Sequence, residues 1–211
     1  MGTVTCTQVI TRCAYVLVDE TNVRWTVTEM IGWINDACRE IVVAQPEANA
    51  KIANVPLVAG TKQVLPAGAI ALGRLTRNMG VGGATPGEAP RQTTQMLMDL
   101  FRPAWHADTA TLVVKNFMKD TRTPRIFYVW PPMSGATNVE AEYSAIPTPV
   151  TAGADVIPLD DFYVNPIVDY VLYRAFSKDV ELAGMASKAD QHRAAFEQTL
   201  GLTKQGEAEQ K

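Results

Sequence analysis

Apolar residues recur at three- and four-residue spacing toward both ends of the chain and in short alternating runs across its middle. In "RWTVTEMIGWINDACREIVVAQPEA" (24–48), Val27, Met30, Ile31, Ile34, Ala37, Cys38, Ile41 and Val42 repeat at the helical period. Thr26 or Thr28 can cap this helix, Glu29 stands where a capping box needs it, and Pro46 marks its end. Ahead of it, "TQVITRCAYVLV" (7–18) puts most of its apolar residues on one face, which predicts a short helix closed by the polar residues 19–22. Near the other end, Val164, Ile167, Val168, Val171, Leu172, Ala175 and Phe176 form one stripe, and Pro166 requires that helix to start at or just before it, or to kink there. After Gly184, Ser187 with Asp190 is the expected N-cap pair of a last helix carrying Ala189, His192, Phe196 and Leu200.

From about residue 52 the period changes to short β-branched runs between glycines and prolines, where helices of normal length do not fit. "TLVVKNFMKD" and "RIFYVWPP" read as strands joined by a turn at 121–124, and "NVEAEYSAIP" sets Val139, Ala141 and Tyr143 against Glu140, Glu142 and Ser144. "NMGVGGATPGEAPR" (78–91) reads as a loop without a core of its own. A proline- and glycine-rich stretch, 146–162, returns the chain to helix, with Asp160 and Asp161 as carboxylates at a helix start.

The predicted class is therefore α+β: N- and C-terminal helices packed as a small bundle, with an inserted antiparallel β-rich segment. The expected boundaries are 1–50 with 160–202 for the bundle, 51–159 for the insertion, and a flexible tail at 203–211, "TKQGEAEQK". A chain of 211 residues can bury such a core without disulfides or metals. With 47% hydrophobic residues, 19% charged residues and a formal charge of -3, it suits a globular fold and is too weakly basic for a dedicated nucleic-acid binder. Cys6, Cys13 and Cys38 fall in helical segments and read as small buried hydrophobes in a reducing compartment. Without a signal-peptide pattern or an apolar run of membrane-spanning length, the chain is expected to stay in the cytoplasm and off the membrane.

Candidate chemistry is sparse. His106 and His192 lie in different regions without cysteines at ligand spacing, so neither a metal nor a cofactor is expected. His106, beside Trp105 in "PAWHAD", reads as a packed or hydrogen-bonded structural residue, and an enzyme centred on it lacks a nameable carboxylate or nucleophile. "MGVGGATPG" lacks the Lys-Ser/Thr of a phosphate-binding loop, and the nucleophile-elbow motif is absent. "KDTRTPRIFYVWPP" interleaves Arg122 and Arg125 with Phe127, Tyr128 and Trp130, which fits either a hairpin lining a core or, less well, a single-stranded RNA platform. The spacing in "YRAFSKDVELAGMASKADQHRAAF" also suits a helical-repeat interaction module, yet only one unit is visible. The economical expectation is a structural or interaction protein without enzymatic activity.

The order of "RWTVTEMIGWINDACREIVVAQPEA", "PAWHAD", "RIFYVWPP", "VEAEYSAIPTPV" and "VNPIVDYVLYRAFSKDVELAGMASKADQHRAAFEQTLG" resembles the head-to-tail connector adaptors of tailed bacteriophages, especially the tubular adaptor of short-tailed phages. The resemblance covers most of the chain. It implies a virion protein, assembled in the host cytoplasm, that forms a ring, usually twelve-fold, under the portal protein. That ring would meet a tail or nozzle protein and pass double-stranded DNA without reading its sequence. It also implies Trp25, Trp33, Tyr173 and Phe176 as bundle framework, and Trp105 with His106 as framework of the β segment. Position and expected exposure suggest Gly80, Gly82, Gly83, Arg91, Arg193, Gln198, Lys204 and Glu207 as contacts, with loop 78–91 ordering on assembly.

Overall fold

The computed structural model describes residues 2–179, 181 and 184–201. The chain divides into two compact units, one formed by 1–49 with 147–211 and the other by 50–146.

The first unit holds four helices: α1 (Cys6–Leu17), α2 (Val27–Ala44), α4 (Val164–Lys178) and α5 (Met185–Thr199). Thr5 and Gln8 cap α1 reciprocally, and the Thr26 hydroxyl accepts from the Glu29 amide at the start of α2. Pro166 is the third residue of α4, in the first turn, where a missing N–H costs no helical hydrogen bond. The apolar stripes meet in a core that includes Val9, Cys13, Met30, Ile34, Ile41, Ile167, Val171, Ala175 and Phe196, each at most 1% exposed. Polar brackets at the rim fix which helix faces which. Tyr170 donates to Glu40 at 3.1 Å, Arg193 reaches the other Glu40 oxygen at 3.1 Å, and Lys178 pairs with Glu29 at 2.9 Å.

Two sequence expectations change here. The stretch 147–159, placed with the β segment, belongs to the helical unit: the Cys6 and Thr7 amides donate to Asp155 and Gly153, Ile157 donates to Val4, and Ile157 and Leu159 are buried. As expected of a helix start, Asp161 lies in the first turn of a short 3-10 helix (Asp161–Tyr163) that leads into α4, and it also accepts from the Thr3 amide and hydroxyl, each at 2.7 Å. The N-cap of α5 is not Ser187 but Gly184, whose φ of 81° is the left-handed conformation glycine adopts without steric cost.

The second unit contains β1 (Ala50–Leu57), β2 (Gly60–Val64), β3 (Ala69–Gly80), β4 (Arg91–Gln92), α3 (Gln95–Phe101), β5 (Asn116–Lys119), β6 (Ile126–Met133) and β7 (Thr137–Ala145). One sheet runs β1-β7-β3 and is antiparallel, while the other runs β2-β6-β5-β4 and is mixed, because the two-residue β4 joins β5 in parallel. Inward residues of both sheets share one core of Val55, Leu72, Leu75, Phe117, Phe127, Val129, Val139 and Ala141. The strand expected over 111–120 shrinks to 116–119, with Thr111 retaining a single bridge to Met133. A segment expected to hold only strands and turns also contains the seven-residue helix α3.

Candidate interaction surfaces

Two elements in the β unit are held firmly while facing outward. The glycine-rich stretch is built around Asn78, itself 4% exposed. Its amide nitrogen donates to the carbonyls of Glu88 and Val114 at 2.8 and 2.9 Å, and its oxygen accepts from the Val114 amide at 2.8 Å. Asn54 donates to Gly83 at 2.7 Å and Asn138 to Val81 at 2.9 Å. Gly80 and Gly83 take φ of 67° and 71°, which explains glycine at both. The segment is therefore fixed within its own unit, and the expectation that it orders only on assembly gives way to a preformed loop. Gly82 lies at its exposed tip, and Arg91 is exposed in the edge strand β4.

The second element is α3. Thr94 caps it, accepting from the Leu97 amide. The fully buried Trp105 donates from Nε1 to Asp99 at 2.8 Å. Arg102 closes the far end on Asp108 at 2.5 Å and lies 5.1 Å over the Trp130 ring. The Arg102 guanidinium and then the Trp130 N–H hold the Asp108 carboxyl below the usual carboxylate range. None of the seven helical residues is buried, and Met96, Leu97, Leu100 and Phe101 are 79%, 46%, 66% and 79% exposed. A shallow groove of about 550 Å³ beside it is lined by Met96, Lys119, Asp120 and Tyr128, among others. Sequence reasoning missed this surface because seven residues are too few for a helical period to stand out. The signal available was Thr94 followed by "QMLMDLF".

In the helical unit, the end of α1 groups four exposed apolar side chains, while Val43 and Phe162 are exposed elsewhere in the unit. Tyr15, Val16, Val18 and Val23 are 63%, 52%, 90% and 78% exposed. Val18 has φ of 54°, a conformation that costs a non-glycine residue about 1–2 kcal/mol and suits a β-branched one least. The following turn is braced by Asp19, which accepts from the amides of Val23, Arg24 and Trp25 at 3.0, 2.9 and 3.1 Å. The same turn contains Asn22 Oδ1 and Trp25 Nε1, which are buried without a hydrogen-bond partner among the described residues.

The remaining sequence candidates are dispersed. Arg193 is engaged inside its unit: it pairs with Glu197 at 2.6 Å and Glu40 at 3.1 Å and lies over Tyr173 and Phe196. Its first role is thus to tie α5 to α2 and α4. Gln198 is exposed on α5. Lys204, Glu207 and the 203–211 tail lie outside the described residues. Trp25, Trp33 and Phe176 are at least nine-tenths buried, Trp105 is fully so, and Tyr173 is half-buried.

Both histidines are engaged by neighbouring side chains. His106 stacks on Trp105 at 3.6 Å and hydrogen-bonds the Thr61 hydroxyl at 2.8 Å. His192 pairs with Asp169 at 2.9 Å and stacks on Phe176, between α4 and α5. In "RIFYVWPP", Phe127 and Val129 enter the core, while Tyr128 and Trp130 stay half-buried on the other face. Among the described residues no group of three or more His, Cys, Asp or Glu could hold a metal, and no helix is long and apolar enough to cross a membrane.

Charge is segregated between the units. Residues 50–146 carry ten Lys/Arg against six Asp/Glu, and the rest of the chain nine against sixteen, so the β unit is net +4 and the helical unit net -7. The overall charge of -3 conceals this division.

Two compact units, one helical and one a β sandwich, display braced outward-facing elements, which suit contact with partner proteins. The family model of the SU10 adaptor protein matches residues 4–210, and the chain belongs to that family. It is accordingly a bacteriophage adaptor, a structural protein of the virion. No curated protein matches the chain.

Proposed function

We propose that this adaptor forms a ring, twelve-fold as in the adaptors it resembles, which docks beneath the portal protein at the neck of the virion. In this reading the ring joins the portal to the tail or nozzle protein and continues the channel for double-stranded DNA, without reading sequence, after assembly in the host cytoplasm. The observation that carries the reading is the family match over residues 4–210, which takes in both compact units. Two physical features agree with it. The braced loop 78–91 and α3 offer preformed contacts, so little ordering entropy is lost when a partner binds. The net charge of -7 on the helical unit disfavours adhesion of passing DNA to that unit.

The candidate contacts within this reading are Gly80, Gly82, Gly83 and Arg91 of the loop, Arg193 and Gln198 of α5, and Lys204 and Glu207 of the tail. The test is titration of the purified chain into purified portal rings, followed by sedimentation velocity. A shift of the portal boundary that saturates supports docking, and weaker docking after deletion of 203–211, with unchanged melting, supports the tail assignment. Portal rings that sediment unchanged in excess adaptor would refute the reading.

A further inference from the structure

We propose that α5 is a detachable latch, which opens from its unit while α1, α2 and α4 stay folded, and that docking to the portal draws on the open form. The second half of this assignment rests on the portal reading above.

Burial sets α5 apart from the other helices of its unit. Six of the twelve residues of α1 are buried, eight of the eighteen of α2 and eight of the fifteen of α4. Of the fifteen in α5 only Ala189 and Phe196 are buried, and Leu200 adds one more at the C-cap. The N-cap is Gly184, which offers the first turn no side-chain hydrogen bond. An element that buries so little apolar surface is the one that opens at the lowest free energy.

The face beneath α5 is more aromatic than the helix that covers it. Tyr170, Tyr173 and Phe176 follow one another along α4, and each meets α5. Tyr170 packs on Phe196 with ring centres 5.2 Å apart, Tyr173 lies 5.4 Å under the Arg193 guanidinium, and Phe176 stacks on His192 at 5.6 Å. Two of the three rings are thus covered by polar side chains. The ion pairs that span from α5, His192–Asp169 and Arg193–Glu40, have side chains 26% to 44% exposed, so water replaces them readily on opening. Such pairs fix where α5 sits and add little to what holds it there.

The latch also lies where a partner would pull. Gln198 is on α5, and Lys204 and Glu207 follow it in sequence, so a partner that grips these candidate contacts acts on the least anchored helix of the unit. Arg193, held by Glu40 in the closed form, is released by the same motion and becomes available as the contact the sequence suggested. A partner that binds the released side chains selects the open form.

The first test is native-state hydrogen exchange on the full chain without portal. The latch predicts that amides of residues 190–199 exchange at least tenfold faster than the slowest amides of α2 and α4, with a weaker dependence on urea. Exchange of α5 in step with α2 and α4, at the slope of global unfolding, overturns the latch. The second test closes it covalently, by bridging Asp169→Cys and His192→Cys in one chain with a short bis-maleimide. The native cysteines are at most 1% exposed and stay silent. In sedimentation with portal rings the bridged protein should dock at least tenfold more weakly than either single variant treated with the same reagent. Equal docking by the bridged protein overturns the role of the open form and leaves the portal reading intact. A wild-type chain that leaves portal rings unchanged overturns the portal reading and that role with it, while the exchange result, obtained without portal, still decides the latch.

Discussion

Replacing Asn78 with alanine tests whether the glycine-rich loop is preformed. The side chain makes three hydrogen bonds, to the carbonyls of Glu88 and Val114 and from the Val114 amide, at 2.8 to 2.9 Å. Asn78 is 4% and Val114 1% exposed, so truncation strands the Val114 N–H and C=O in a nearly dry setting. An unsatisfied buried polar group costs about 1–3 kcal/mol, and two such groups with partial relaxation give a loss of roughly 2–4 kcal/mol. Urea unfolding of Asn78→Ala should show that loss with an unchanged slope. Amide exchange at Val114 should accelerate beyond what global destabilisation explains, because its acceptor is gone. Asn78→Asp keeps an acceptor for the Val114 amide but aims carboxylate oxygens at two carbonyls, so it should be destabilised most at neutral pH. A loss below about 0.5 kcal/mol with unchanged Val114 protection would refute the bracing role.

Four further outcomes follow from the packing and charges. Phe196→Ala, at a side chain 1% exposed between α5 and α4, should cost about 3–5 kcal/mol by chemical denaturation. Arg193→Met, which breaks partly solvated ion pairs, should cost no more than about 1 kcal/mol and leave far-ultraviolet circular dichroism unchanged. Thr3 holds the Asp161 carboxyl below the usual range, Arg24 does the same for Asp179, and at Asp19 the backbone amides outweigh the desolvation that would raise it. Because these folded-state values lie below the unfolded one of about 3.9, urea midpoints should hold from pH 7 to about 5 and fall below about pH 4, less so in Asp161→Asn. Burial pushes the Cys13 and Cys38 thiols up to about 12, so a disulfide exchange reagent at pH 8 should titrate thiols only after urea is added.

The helices were legible because their stripes are long: eight matching positions in 24–48 and seven in 164–176 leave no competing period. The strands from 126 onward were legible by alternation, and Val139 and Ala141 indeed face the core. Residues 147–159 misled because proline and glycine mark irregular chain without saying what it packs on, and here backbone hydrogen bonds to residues 4–7 decide that. The bond from Thr3 to Asp161 was out of reach for the same reason, since the two residues are 158 apart. The α3 and α1-end surfaces were invisible because exposure of an apolar residue depends on the tertiary fold and not on local pattern. Charge segregation was within reach of the sequence, since the expected boundaries already set ten Lys/Arg against seven Asp/Glu in 51–159, but the whole-chain sum of -3 hides it.

The measurement that tests the adaptor account most directly is the native mass of the complex formed when portal rings are saturated with this chain. The account predicts a discrete increment of twelve copies of the 23.0 kDa chain. A portal mass that does not change, or a broad ladder of adaptor copies with no saturating number, would contradict it.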